Sequence, residues 1–146
     1  MVDFLVTLLF LVAVMAWYGF APDARILAMP LFVVLAALLS LGLGLLLAAL
    51  TVTYRDFRYV VPFMVQLGLF VSPIAFESWQ VPVRWRTLYG FNPLAGIIDG
   101  FRWSILAGHA PLDARLIASS LMITLATLML GTWYFRRTER GFADAI

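Results

Sequence analysis

The uncharged run ILAMPLFVVLAALLSLGLGLLLAALTVTY, residues 26–54, is long enough to cross a lipid bilayer as one helix. About 20 apolar residues are enough to span the hydrocarbon core. The composition of the whole chain agrees, because hydrophobic residues make up 64% of its 146 residues and charged residues only 12%. A soluble domain carries about 25% charged residues. The sequence therefore predicts an all-α integral membrane protein.

Three further apolar runs predict three further membrane spans. The four predicted transmembrane helices lie at about 4–21, 26–53, 59–76 and 116–135. The second is long enough to tilt or to begin with a broken turn near Pro30. The third contains Pro62 and Pro73, which membrane helices tolerate. Residues 1–146 are predicted to form one membrane domain without an internal repeat.

A shorter apolar segment, NPLAGIIDGFRWSILAG (residues 92–108), lies between the third and fourth spans. Asn92 and Pro93 are typical of a helix cap and a first helical residue, and Gly108 is typical of a helix stop. Asp99 and Arg102 are three residues apart and can pair on one helix face. The segment is too short to cross a bilayer, so we expect a short helix that re-enters the outer leaflet. It is either a surface helix without a role or a lid over a pathway.

A polar side chain within the third span indicates a helix face that does not simply contact lipid. Tyr59, Phe63, Gln66 and Phe70 share one face of the third span. A glutamine at membrane depth needs a partner or water. These four residues either fill space between helices or line a polar pathway, and the sequence leaves both interpretations open.

Small residues predict two helix-packing faces. Ala36, Ser40, Gly44 and Ala48 recur every four residues in the second span and would let another helix approach closely. In the fourth span, a stripe of small and hydroxyl residues is expected to face other helices rather than lipid. Its members are Ser120, Thr124, Thr127 and Gly131.

The arginines favour cytoplasmic N- and C-termini. That orientation places five arginines on each side, but the five inside are concentrated in two short segments, as the positive-inside rule expects. The inner five are Arg55, Arg58, Arg136, Arg137 and Arg140, and the outer five are Arg25, Arg84, Arg86, Arg102 and Arg115.

The sequence contains no set of residues typical of an enzyme. There is no cysteine and only one histidine, His109, so neither a thiolate nor a histidine metal centre is expected. No phosphate-binding loop of the form G-x-x-x-x-G-K-[ST] and no hydrolase motif is present. We therefore predict no catalytic residue, no metal ligand and no cofactor bound by this chain. The small net charge of +2 and the lack of a basic stripe exclude a nucleic-acid partner.

Three colinear stretches resemble the ABC-2 type permeases that export polysaccharides and polyol phosphates such as O-antigen, capsule and teichoic acid precursors. They are TVTYRDFRYVVPFMVQLGLFVSPIAF (51–76), NPLAGIIDGFRWSILAG (92–108) and YFRRTERGFADAI (134–146). The resemblance implies a homodimeric permease in the bacterial inner membrane that moves lipid-linked glycans. It also implies a separate ATPase subunit, docked on the cytoplasmic side, that binds ATP and Mg²⁺.

The resemblance assigns roles to three groups of residues. The gate segment on the outer side would include Asn92, Pro93, Asp99, Gly100, Arg102 and Trp103. The channel lining would include Tyr59, Phe63, Gln66 and Phe70. The cytoplasmic hairpin would consist of Tyr54, Arg55, Asp56, Phe57 and Arg58.

A full permease of this kind has six spans and an early cytoplasmic coupling helix, so this chain is expected to correspond to the C-terminal part. Two alternatives remain at this point. The chain could be an integral membrane enzyme acting on lipid or sugar, with Asp99, Arg102 and His109 as its site. It could also be a truncated permease that no longer transports.

Overall fold

The computed structural model describes residues 2–19, 23–74, 80–106 and 112–143, and these residues form helices and connections without a strand. A 3-10 helix, Ala24–Ala28, leads directly into the second α-helix. The α-helices of the described residues are α1 (Val2–Trp17), α2 (Met29–Thr53), α3 (Phe57–Val71), α4 (Val83–Tyr89), α5 (Pro93–Ile105) and α6 (Ala114–Ala143).

Two described helical segments, Ala24–Thr53 and Ala114–Glu139, are long and apolar enough to cross a membrane. They match the second and fourth predicted spans. The helices α1 and α3 have 16 and 15 residues, which gives lengths of about 24 and 22 Å against a hydrocarbon core of about 30 Å. Residues 20, 21, 75 and 76, at the predicted ends of these two spans, lie outside the described residues.

Proline sets the start of α2 and the end of α3. The expected broken turn near Pro30 is present, because the 3-10 helix changes to α-helix at Met29 and Pro30 occupies the first turn, where no N–H donor is needed. In the third span, Pro73 disfavours α-helical backbone at Ser72, which is extended with φ −85° and ψ 147°. The helix of that span therefore ends at Val71 instead of continuing toward residue 76.

The helices α2 and α6 form the main packing interface. A Cβ placed on Gly42 would lie 2.8 Å from the backbone N and Cα of Leu128, and one placed on Gly131 would meet the carbonyl oxygen of Gly42. On the same side of α2, Leu35 and Leu39 are buried. Glycine at the crossing lets the two backbones touch.

Only the first residue of the small-residue ladder predicted for α2 packs within the described part of the chain. Ala36 lies against the buried residues Leu35, Leu39 and Ile97. Ser40, Gly44 and Ala48 are exposed, and a Cβ placed on Gly44 has no neighbour within 4 Å. For these three residues, the prediction of a packing face is wrong among the described residues. The physical reason is that the face through Leu39 and Gly42 buries larger apolar side chains while still allowing close backbone contact.

The polar stripe predicted for α6 does face other helices. Ser120 and Thr124 are fully buried, and Gly131 is buried against α2. Thr127 is half-buried and donates its hydroxyl hydrogen to the carbonyl of Ile123 at 2.7 Å. That bond to its own helix removes the need for another partner.

Both α2 and α6 begin beside α5 and run away from it in the same direction. Early residues of each helix, Phe32 and Leu116, meet α5, whereas the crossing at Gly42 and Gly131 lies further along both helices. We call this end of the bundle the α5 end. It contains the 3-10 helix, residues 72–74, α5 and the start of α6. Thr53 lies about 30 Å further along α2 than Phe32, at the opposite end.

The first helix lies at the surface of the described chain. None of the α1 side chains whose placement is described is buried. Between α1, the start of α2 and α5 lies an apolar cleft of about 240 Å³, lined by Thr7, Leu8, Leu11, Met29, Phe101 and Ile105.

Candidate functional site

The N-terminus of α5 is capped from two directions. A helix leaves its first N–H groups without intrahelical partners. Asn92 Oδ1 accepts from Leu94 N–H at 3.0 Å, the Asn92 carbonyl accepts from Ala95 N–H at 3.1 Å, and Ser120 Oγ on α6 accepts from Gly96 N–H at 3.1 Å. Pro93 has no N–H group. This short helix can therefore begin inside the protein without an unpaired N–H donor.

Glycines allow α5 to pack against two helices at once. A Cβ placed on Gly96 would meet the Leu116 carbonyl oxygen and Ser120 Oγ of α6, and one placed on Gly100 would meet the Phe32 ring of α2. The Phe32 and Phe101 rings are 6.1 Å apart and tilted, which is a favourable aromatic arrangement. The predicted helix cap at Asn92 and helix start at Pro93 are confirmed. The helix ends at Ile105, and Gly108, the predicted stop, lies outside the described residues.

The predicted pair Asp99–Arg102 is present in α5. Arg102 Nη1 lies 3.8 Å from Asp99 Oδ1, and Asp99 is only 8% exposed. The other arm of the guanidinium, Nη2, donates to the carbonyl oxygen of Ile74 at 3.1 Å. Arg102 therefore contacts Asp99 on its own helix and also connects α5 to the segment that follows α3.

Asn92 makes a second connection to the end of α3. Its Nδ2 group lies 3.3 Å from the Val71 carbonyl oxygen and 3.3 Å from Ser72 Oγ. Val71 is the last residue of α3, and its carbonyl has no partner within the helix. We use the name α3–α5 clamp for the hydrogen bonds of Asn92 and Arg102 to Val71, Ser72 and Ile74.

Trp103 connects α5 to the start of the second span. The Arg25 guanidinium carbon lies 5.3 Å from the centre of the Trp103 ring, within the range of a cation–π contact. Arg25 also lies 3.7 Å from Asp23, which caps the 3-10 helix by accepting from Ala24 N–H at 2.7 Å. Trp103 thus holds the 3-10 helix before α2 against α5.

The aromatic face of α3 has no partner helix among the described residues. Tyr59, Phe63 and Phe70 are 81%, 62% and 75% exposed. Gln66 is exposed on the same face. These side chains therefore do not fill space between the described helices of this chain, and both interpretations of the face stay open. Their face is available to another molecule or to a second copy of the chain.

The hairpin between α2 and α3 is a tight, charged turn. Phe57 N–H and Tyr59 N–H donate to the carbonyls of Tyr54 and Asp56 at 3.1 and 3.0 Å, and the Tyr54 and Phe57 rings are 6.2 Å apart. The side chains of Arg55, Asp56 and Arg58 are exposed. This turn presents two arginines at the end of the bundle opposite α5.

No metal-binding group of three or more His, Cys, Asp or Glu occurs within the part of the chain that the structure describes. Asp99 and Arg102, two residues of the enzyme alternative, are close together, as shown above. His109, the third, lies outside the described residues.

Long apolar helices and a family match identify the chain as an integral membrane protein. Residues 1–106 match the ABC-2 type transporter family. The chain belongs to that family, and the matched region includes the α3 face and α5.

Curated relatives have names from polysaccharide export. The O-antigen export system permease protein RfbA of Myxococcus xanthus is 23% identical over 131 residues, covering 88% of this chain and 50% of the relative. The protein of the same name in Klebsiella pneumoniae is 22% identical over 144 residues, covering 98% and 55%. The polysialic acid transport protein KpsM of Escherichia coli is 27% identical over 107 residues, covering 73% and 41%. The chain spans about half the length of the curated relatives it matches.

The sequence predicted which residues of α5 belong to the site, but it did not predict most of the residues that they contact. Asn92, Asp99, Arg102 and Trp103 all lie on α5 or at its start, as predicted. Ser120 and the acceptors at Val71–Ile74 were missed, since they lie about 20 or more residues from their partners. Only the hydroxyl stripe on α6 gave a signal for Ser120.

Proposed function

We propose that this chain forms the membrane-spanning part of a permease that exports polysaccharide. A separate ABC-type ATPase subunit, which binds ATP and Mg²⁺, would supply the energy. The observation that carries the proposal is the family match over residues 1–106. The export roles in the names of the curated relatives support polysaccharide as the substrate class.

The proposed topology has four spans, α1, α2, α3 and α6, with both termini in the cytoplasm of a bacterium and α5 re-entering the inner membrane from outside. The direction of α2 and α6 supports it. Both begin at the α5 end, so the chain must return across the membrane between Thr53 and Ala114. The helix α3 is placed for that return, because its C-terminal end is hydrogen-bonded to α5. Ser72 continues the chain beyond the helix in an extended conformation, and Ile74 N–H then donates to the Ser72 carbonyl at 2.8 Å, so the chain turns where it meets α5.

The exposed face of α3 is the proposed wall of the pathway. Aromatic rings offer flat apolar surfaces, and the Gln66 amide offers both donors and an acceptor, a combination that suits the amphipathic faces of a sugar chain. We assign Tyr59, Phe63, Gln66 and Phe70 to contact with a lipid-linked glycan. In a homodimer, two such faces would enclose the pathway.

The proposed gate is α5 with its first and last contacts. Its residues Asn92, Pro93, Asp99, Gly100, Arg102 and Trp103 lie at the outer end of that pathway in the proposed topology. ATP can open such a gate only if the ATPase binds one channel state more tightly when nucleotide is present. The hairpin from Tyr54 to Arg58, with its exposed arginines Arg55 and Arg58, is the proposed cytoplasmic contact.

Affinity purification of the tagged chain from membranes of its own host tests the proposal. We expect mass spectrometry to find an ABC-type ATPase in the purified material. Reversing the charge of Arg55 and Arg58 to glutamate should lower its recovery, whereas the matched change Arg84→Glu on α4, the helix before α5, should not.

Two outcomes would overturn the proposal. One is recovery without an ATPase, together with unchanged surface polysaccharide when the gene is deleted. The other is a chemical change in lipid or sugar caused by the purified chain without an ATPase, which would favour the enzyme alternative.

A further inference from the structure

Within the part of the chain that the structure describes, the helix α3 is held at its two ends rather than along its length. It contains no buried residue. Ser72 and Pro73, which follow it directly, are both buried, Ser72 being 2% exposed. At its other end, the tight turn from Tyr54 to Tyr59 joins it to α2. The body of α3 can therefore shift sideways without breaking a packed core, provided that its ends remain attached.

The outer attachment of α3 depends on two side chains of the α5 segment. Asn92 donates to the Val71 carbonyl and to Ser72 Oγ, and Arg102 donates to the Ile74 carbonyl. Both carbonyls lie at or just after the end of α3, where no intrahelical N–H can reach them. A guanidinium donor is charged, and a charged hydrogen bond is stronger than a neutral one.

The other side of the clamp is anchored in the packed bundle. Gly96 bonds to Ser120 on α6, and Gly100 touches the Phe32 ring on α2. A displacement of the outer end of α3 is therefore passed to α5 through the clamp, or else it must break the clamp. Interfaces that are packed this tightly change between discrete arrangements rather than deforming smoothly.

We propose that Asn92 and Arg102 are positioning residues that couple α3 to the gate, so that α3 carries a movement of the cytoplasmic hairpin to α5. This inference rests on the proposed function. The helix transmits over about 22 Å, the length of its 15 residues at 1.5 Å each. Asp99 takes part by holding one arm of the Arg102 guanidinium while the other arm reaches Ile74.

Two conservative substitutions separate coupling from folding. Asn92→Ser keeps an oxygen that caps α5, since serine is a good N-cap, but it is too short to reach Val71. Arg102→Lys keeps the positive charge beside Asp99 but lacks the planar fork that makes two contacts at once. Arg84→Lys on α4 is the matched control, because Arg84 is exposed and takes no part in the clamp.

The first measurement compares ATP hydrolysis by the purified permease–ATPase complex with polysaccharide export by cells that carry the same substitution. We expect hydrolysis to continue in Asn92→Ser and Arg102→Lys while export falls about fivefold or more, the lower end of ordinary coupling between sites. A purely structural role would instead lower the amount of complex, and with it hydrolysis and export together. That result, or unchanged export in both variants, would overturn the inference.

The second measurement does not depend on transport. The chain has no cysteine, so nitroxide labels at Leu69→Cys on α3 and Leu106→Cys after α5 report one distance in the purified protein. We expect Asn92→Ser and Arg102→Lys to broaden that distance distribution, and Arg84→Lys to leave it unchanged. If both variants gave the same distance distribution as the labelled protein that keeps Asn92 and Arg102, the inference would be overturned. If the wild-type chain neither binds an ATPase nor supports export, but the two variants still broaden the distribution, only the proposed function is refuted.

Discussion

At the residue scale, two glycines of α2 that are only two positions apart have opposite surroundings. A Cβ on Gly42 would lie 2.8 Å from the backbone of Leu128, whereas a Cβ on Gly44 would have no neighbour within 4 Å. We predict that Gly42→Ala lowers the free energy of unfolding by about 1–3 kcal/mol, the usual effect of overpacking. Gly44→Ala should be neutral or stabilising, because alanine favours helix more than glycine does. Thermal unfolding in mild detergent measures both, and equal midpoints would contradict the close helix crossing.

Two neighbouring serines of α6 give a second comparison. Ser120 Oγ accepts the Gly96 N–H at 3.1 Å across a buried interface, whereas Ser119 donates to the Leu116 carbonyl of its own helix at 2.9 Å. Ser120→Ala should cost about 1–3 kcal/mol, because it leaves a buried donor without a partner. Ser119→Ala should have little effect. The same thermal measurement applies, and a Ser120→Ala variant as stable as Ser119→Ala would show that α5 does not need this cap.

At the scale of elements, signals from neighbouring residues predicted where helices begin and end. Which face of a helix is packed depends on contacts with residues far away in the sequence. Asn92 and Pro93 mark the start of α5 because capping involves neighbouring backbone groups. Pro73 could have shown where α3 ends, since its effect reaches only the preceding residue. The packed face of α2 could not be predicted, because Gly44 and Gly42 both suit a helix crossing and the choice depends on α6. The α3–α5 clamp escaped prediction for the same reason, as its partners are 20 to 28 residues apart.

The exposed face of α3 supports a prediction about the whole element. Phe63 and Val65 are similarly exposed, at 62% and 59%, but they point to different sides of the helix. We predict that Phe63→Ala lowers polysaccharide export roughly two- to tenfold, as expected from the loss of one aromatic contact, while Val65→Ala does not. Neither should change thermal stability by more than about 0.5 kcal/mol, because both side chains are exposed. Export is measured as surface polysaccharide at equal protein level, and equal loss in both variants would contradict a one-sided pathway wall.

At the scale of the molecule, the shared direction of α2 and α6 constrains how the chain between them crosses the membrane in the proposed topology. If each spans the membrane from the α5 end, the intervening chain has to cross back once, and α3 is the helix that reaches the α5 end again. The arginines follow the same division, since the exposed Arg136 and Arg137 lie at the far end of α6 and the exposed Arg84 lies on α4, the helix directly before α5. The shortness of α3 has a local cause, because Pro73 ends the helix at Val71, and in the proposed topology α3 still makes the crossing between α2 and α6.

Single cysteines test this arrangement, because the chain has none of its own. We predict that Arg84→Cys on α4 reacts with a membrane-impermeant maleimide in intact spheroplasts, since it lies at the outer surface in the proposed topology. Asp56→Cys in the hairpin and Glu139→Cys on α6 should react only after the membrane is broken. All three positions are exposed in the folded chain, so a difference in labelling reports sidedness and not burial. Labelling of the hairpin cysteine from outside would mean that α2 and α6 do not both cross from the α5 end, and the four-span arrangement would have to be abandoned together with the outer position of α5.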